Sequence, residues 1–194
     1  MIEDQELVSK AQQGNRNAFR QLVEQHKERV YYIALDLIGN RTDAEDLSQE
    51  VFIKAYQSLR KFRGDAKFSS WLYRITVNTC MDHRRKKWWR IRKANAPMNQ
   101  KDEQMVDLLQ SDAPGPEQSA QHAMREGHLR HALDQLSQRE RDIFILRHDH
   151  DLSLQEIAEA LSISLGTVKS TLFNAVRRLR NELAGLRQEL SWEL

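Results

Sequence analysis

One stretch near the C-terminal end limits what this chain can fold into more than any other: SLQEIAEALSISLGTVKSTLFNAVRRLR, residues 153–180. Its periodicity predicts two short helices joined by a tight turn. The first, Leu154–Leu161, places Leu154, Ile157, Ala158 and Leu161 on one apolar face. The second, from Leu165 to about Arg180, turns Val168, Leu172, Ala175, Val176 and Leu179 inward. Thr167, Lys169, Ser170, Thr171, Asn174, Arg177 and Arg178 are left pointing outward, with Ser164 at the entry. Short polar and basic side chains on an exposed helix, braced by a second helix, suit readout of base edges in the major groove of DNA.

Charge is distributed to match. The formal net charge of the 194 residues is only +2. Yet residues 60–93 carry twelve Lys or Arg against two acids, while residues 1–59 carry seven basic and ten acidic side chains. Such asymmetry predicts a nucleic-acid surface beside a surface meant for another partner. Cys80 is the single cysteine, so an intramolecular disulfide is impossible and a reducing cytoplasm is expected. The apolar runs fall short of membrane-spanning length, and the polar start MIEDQE does not read as a signal peptide.

The periodicity is helical nearly throughout, which predicts an all-α fold. Helices are expected at about residues 4–13, 16–38, 43–59 and 69–90, then at about 117–135, 138–148, 154–161 and 165–187. Three starts have capping-box spacing: Thr42 with Glu45, Ser137 with Glu140, and Ser153 with Glu156. Residues 94–116 hold all three prolines and no sustained apolar face, the composition of a flexible linker. Met98, Met105, Leu108 and Leu109 within it could form a short amphipathic segment. Two small helical domains on a tether follow, residues 1–93 and 117–194, the second a helix-turn-helix. The first would bury Leu7, Phe19, Leu22, Val30, Ile33, Leu37, Leu47, Val51, Ile53, Tyr56, Leu72, Ile75 and Val77.

Two patches of that domain carry chemistry. In DAEDLSQEVF, residues 43–52, Asp43, Asp46, Gln49 and Glu50 share one helix face. Such a stripe reads as solvated surface, as a docking face for a basic partner, or as a metal site that lacks histidine. The second patch begins with a Gly-containing loop in which Lys61, Arg63 and Lys67 alternate with Phe62 and Phe68. A helix follows with Trp71, Arg74, Asn78 and Asp82 at near-helical spacing, ending in Arg84, Arg85, Lys86 and Lys87 before Trp88 and Trp89. Cations track phosphates and aromatic faces stack on unpaired bases, so the mixture favours single strands over duplex. Trp71 taken alone is more in keeping with a core residue.

Three segments, DAEDLSQEVFIKAY at residues 43–56, FRGDAKFSSWLYRITVN at residues 62–78, and LSQRERDIFILRHDHDLSLQEIAEALSISLGTVKSTLFNAVRRLR at residues 136–180, carry a resemblance over essentially the whole chain. In that order it resembles bacterial RNA polymerase sigma factors of the extracytoplasmic-function (group IV) type. The resemblance implies a non-enzymatic specificity subunit without cofactor or small-molecule substrate. Asp43, Asp46, Gln49, Glu50 and Phe52 would dock on the clamp coiled coil of the largest polymerase subunit. The loop from Lys61 to Ser69 and the helix to Lys87 would melt the promoter −10 element and hold a flipped base, a step costing a few kcal/mol repaid by stacking. The implied −10 contacts are Lys61, Phe62, Arg63, Lys67, Phe68, Trp71, Arg74, Asn78, Arg84, Arg85, Lys86 and Lys87. The implied −35 contacts are Ser164, Thr167, Lys169, Ser170, Thr171, Asn174, Arg177 and Arg178. The linker would thread core polymerase, which includes the second-largest subunit, toward the RNA exit path. An anti-sigma factor, often membrane-anchored in this family, is the implied regulator.

Family members often have arginine where Thr171 and Asn174 stand here, so the recognition helix is less basic toward its centre. The C-terminal segment also resembles the LuxR-type DNA-binding domain, which leaves an ordinary transcription regulator as the alternative. His148, Asp149, His150 and Asp151 could suggest a metal-dependent enzyme, but neighbouring loop residues rarely converge on one ion. Cys80 fits a half-buried apolar position better than a redox sensor.

Overall fold

The computed structural model describes residues 4–94 and 132–191, and every regular element among them is a helix. By contacts the chain divides into two compact units, Met1–Asp112 and Ala113–Leu194. In the first unit α1 is Asp4–Gln12, α2 Arg16–Ile38 and α3 Arg41–Ser58; a 3-10 turn, Leu59–Lys61, precedes α4, Phe68–Ala94. The second holds α5, Gln138–His148, α6, Leu154–Leu161, and α7, Leu165–Ser191.

Local chemistry sets the helix ends. The Asn15 side chain accepts the amides of Asn17 and Ala18 at 3.0 and 3.1 Å, starting α2. Gly39 ends it at φ +74°, a left-handed conformation that glycine takes without a Cβ penalty. Asn40 at once begins α3, its side chain accepting the Asp43 amide at 2.9 Å. The Thr42 capping box is therefore not formed: Thr42 lies inside α3 because Asn40 takes the cap two residues earlier. The boxes at Ser137 and Ser153 are both complete.

Helix α2 supplies the centre of the first core, with Leu22, Val30, Ile33 and Leu37 shut from solvent. Leu7 of α1, Leu47 and Val51 of α3, and Leu72, Val77 and Cys80 of α4 close around it. Phe19 and Ile75 are half-buried. Ile53 and Tyr56 do not join the core; they are 57% and 47% exposed on the outer face of α3. Cys80 is fully rather than half buried.

In the second unit Ala132 and Leu136 pack on Ala175 and Leu179 of α7, flanked by Leu133 and Phe144. Ile157, Ala158 and Ala160 of α6 and Val168 of α7 are buried as well. Between them Ser162 takes φ +53° and the Ile163 amide reaches back to the Ala158 carbonyl at 3.0 Å. The Ser164 hydroxyl then accepts the Thr167 amide at 3.0 Å and starts α7. Three residues thus turn one helix into the next.

The expected linker, residues 94–116 with Met98, Met105, Leu108 and Leu109, lies outside the described residues apart from Ala94, which ends α4. So does the expected helix 117–135 up to residue 131. Among the described residues no helix is long and apolar enough to cross a membrane.

Candidate nucleic-acid interface

The loop between the 3-10 turn and α4 is held from behind. Gln12, at the end of α1, donates its side-chain amide to the carbonyls of Leu59 at 3.0 Å and Phe62 at 2.8 Å. Gly64 turns the loop at φ +79°. Lys61, Arg63 and Lys67 project from it into solvent. Phe62, Phe68 and Trp71 form one aromatic cluster, with ring centroids 5.0 Å apart for Phe62 and Trp71 and 5.6 Å for Phe68 and Trp71.

The cluster is not uniform. Phe68 is 4% exposed and also meets the His26 ring at 5.5 Å, so it braces the site from inside the core instead of facing a base. Phe62 and Trp71 remain half-exposed. Along α4, Arg74 and Asn78 follow Trp71 on the exposed side. An open aromatic face beside an exposed amide can stack one base and hydrogen-bond its edge.

The basic end of α4 divides in two. Arg85 and Lys86 are exposed. Arg84 instead points back to the end of α2, donating to the Leu37 carbonyl at 3.4 Å. Lys87 reaches across to α3 and pairs with Asp43 at 3.1 Å, with His83 at 3.6 Å from the same carboxylate. Two of the four residues expected on DNA therefore tie helices together.

That pairing also corrects the acidic stripe. Asp43 belongs to the α3–α4 contact, whereas Asp46, Gln49 and Glu50 stay on the exposed face and Phe52 is half-buried. Glu50 pairs with Lys54 one turn along at 2.7 Å. The same face continues through Ile53 and Tyr56, three to four residues apart, so an acidic end passes into an apolar one along it. Helical spacing from Gln49 would have revealed those two; their apolar character argued for burial.

On the recognition helix Ser164, Lys169, Ser170, Asn174 and Arg177 are exposed, and Thr167 and Thr171 are half-buried. Ser164 and Thr167 share a hydroxyl contact of 2.8 Å. Arg178 is drawn aside: it pairs with Glu140 at 3.3 Å. The same Glu140 oxygen accepts the Ser137 amide at 2.9 Å, so one carboxylate caps α5 and anchors α7. Phe173, not among the expected contacts, is 66% exposed between Lys169 and Arg177. Its spacing of four from each was the signal.

The His148–Asp151 run does not converge on a point. His148 packs on Phe144 with centroids 4.5 Å apart, and His150 is buried. Among the described residues no group of three or more His, Cys, Asp or Glu side chains could hold a metal ion.

Residues 22–90 match the family model for sigma-70 region 2, and residues 132–181 match that for sigma-70 region 4. The RNA polymerase sigma-H factor of Pseudomonas aeruginosa is 30% identical over 187 residues, covering 96% of this chain and 97% of that protein. The ECF RNA polymerase sigma factor SigW of Bacillus subtilis is 30% identical over 92% of this chain and 96% of its own length. The ECF RNA polymerase sigma-E factor of Escherichia coli strain K12 is 32% identical over 95% of this chain and 96% of its own. Among solved structures, CnrH in complex with the cytosolic domain of CnrY aligns at TM-score 0.64 and 24% identity over 94% of this chain and 97% of that one. The sigma factor RpoE in complex with the anti-sigma factor NepR, from Bartonella quintana, aligns at 0.62 and 22% over 86% and 96%. These two likenesses are of fold.

Proposed function

The chain belongs to the sigma-70 family of RNA polymerase sigma factors, as one of the ECF type, and from that premise we propose how its surfaces divide the work of starting transcription. As a sigma factor it binds core RNA polymerase and directs initiation at a particular set of promoters. The alternative of a LuxR-type regulator is not favoured: it accounts for residues 132–181 and leaves the match over residues 22–90 without a use.

The −10 element is opened and held by residues 1–93. Trp71 and Phe62 stack a base drawn from the duplex, Asn78 hydrogen-bonds its edge, and Lys61, Arg63 and Lys67 hold the displaced strand. The −35 element is read by residues 117–194, with Lys169, Ser170, Asn174 and Arg177 at the groove. Core polymerase docks on the outer face of α3 through Asp46, Gln49 and Glu50. An anti-sigma factor covers these surfaces when the regulon is silent.

The observation that carries this reading is the pairing, on one chain, of a latched aromatic-basic loop in one compact unit with a helix-turn-helix in the other. A protein that only occupies duplex grooves needs the second alone. The test is transcription in vitro from fragmented genomic DNA, with core polymerase free of other sigma factors. Discrete start sites that depend on this protein are expected. Absence of transcription, with duplex DNA still shifted by the protein alone, would return the regulator reading.

A further inference from the structure

The three rings of the aromatic cluster are steadied in different ways. Phe68 is sunk in the core. Trp71 is fixed by the first turn of α4, its amide donating to the Lys67 carbonyl at 3.2 Å. Phe62 has neither support. It is half-buried, and its backbone is extended, at φ −71° and ψ 115°, directly after the 3-10 turn. Its ring still meets Trp71 at 5.0 Å and Phe68 at 6.0 Å. Something else must fix where the chain leaves that turn.

Gln12, the last residue of α1, does so. A side-chain amide has two N–H groups, and here one donates to the Leu59 carbonyl and the other to the Phe62 carbonyl. The Leu59 carbonyl also accepts the Phe62 amide at 3.1 Å, which closes the 3-10 turn. For stability alone the arrangement gains little, because carbonyls at a part-buried loop can take water instead. What water does not supply is a fixed place for the next residue. The two carbonyls bracket Arg60 and Lys61 and end at Phe62, so locating them locates the Phe62 ring with Lys61 and Arg63 beside it. At the other end of α1, Asp4 pairs with His26 at 3.0 Å, and the His26 ring meets Phe68 at 5.5 Å. One helix therefore supports the cluster at both Phe62 and Phe68.

We infer that Gln12 is a positioning residue for −10 recognition. By holding the Leu59 and Phe62 carbonyls it keeps Phe62 against Trp71 before DNA arrives, so that a flipped base meets a platform already formed. The inference rests on the reading of Phe62 and Trp71 as that platform. Ordering the platform in advance spares binding the cost of ordering it, and the gain falls on affinity for the base rather than for the phosphates.

The test uses holoenzyme and single-stranded −10 oligonucleotides from a mapped start site, intact or with an abasic site at each position in turn, read by fluorescence anisotropy. Wild-type holoenzyme should lose roughly tenfold in affinity when the stacked base is removed. Gln12→Met is similar in length and neutral but has no donor. In it that ratio should shrink to about threefold or less, through weaker binding of the intact strand and unchanged binding of the abasic one. Gln12→Lys keeps donors at a similar reach and should keep the wild-type ratio; its added charge acts on both strands alike and cancels. Co-elution with core polymerase should be the same for all three proteins. Equal weakening on both strands in Gln12→Met would overturn the inference, since a loss of folding treats the strands alike. A wild-type ratio with normal binding in Gln12→Met would overturn it too, as would loss of the ratio in Gln12→Lys. If wild-type holoenzyme binds the strand and ignores every abasic position, the platform reading fails first and the inference falls with it. That result is distinct from a wild-type dependence that Gln12→Met retains.

Discussion

The two units put similar chemistry on the surface by different means. In the C-terminal unit the scaffold and the proposed reading face are largely separate. Val168, Ala175 and Leu179 hold α7 down, while Lys169, Ser170, Asn174 and Arg177 stand clear of it. In the N-terminal unit the same residues serve both ends. Phe68 sits in the core and props Trp71; Asp43 and Lys87 belong to the patches of two expected partners and instead hold each other. A helix-turn-helix binds an intact groove and can leave its scaffold alone. On the proposed reading, a surface that holds a base against the pull of its stack needs its platform stiffened from below, and these ties are placed to do so.

That contrast can be broken most directly at Trp71. Trp71→Ala should cost about 2 kcal/mol, or roughly thirtyfold, in binding a single-stranded −10 oligonucleotide, while binding of duplex −35 DNA stays unchanged. Fluorescence anisotropy on the two probes measures both; equal losses would mean the units are not independent. A second comparison lies within α3. Asp46→Lys/Glu50→Lys should reduce co-elution with core polymerase by about tenfold and leave the melting temperature alone. Asp43→Ala should do the reverse, since it frees Lys87 and separates α3 from α4. Normal co-elution of the double variant would remove the docking assignment.

In the second unit Phe173→Ala should lose about 1 kcal/mol toward −35 duplex. The loss should shrink when each thymine of the element is replaced in turn by deoxyuridine, if a thymine methyl is what the ring meets. A ring that ignores every methyl removal contacts sugar or polymerase instead. Smaller still, Arg178→Ala should lower the stability of the C-terminal unit by about 0.5–1 kcal/mol, read by thermal melting, because its partner Glu140 is nearly buried. Loss of −35 affinity with no change in melting would put Arg178 back on the DNA.

The helices themselves were legible because their apolar spacing and caps agree. The boxes at Ser137 and Ser153 formed as the spacing predicts, and the two helices of the helix-turn-helix begin at Leu154 and Leu165 as expected. What the pattern could not show is long-range pairing. Nothing near Asp43 in sequence announces Lys87, and nothing near Arg178 announces Glu140, since each pair is joined only by folding. Charge patterning marks a residue as polar and surface-bound without saying whether a neighbour already holds it. Ile53 and Tyr56 misled in the opposite sense. Their apolar character argued for burial, yet the structure leaves both on the outer face of α3.

Gln12 spans 47 and 50 positions of the chain to reach the two carbonyls that begin the −10 loop. The tautness of that loop is thus adjusted from α1, a helix whose own side chains are assigned no promoter contact. On the proposed reading, promoter strength would then be tunable from α1 through its grip on the Leu59 and Phe62 carbonyls. Whatever grasped or loosened α1 would change how readily the DNA strands part, although α1 itself is assigned no contact with them.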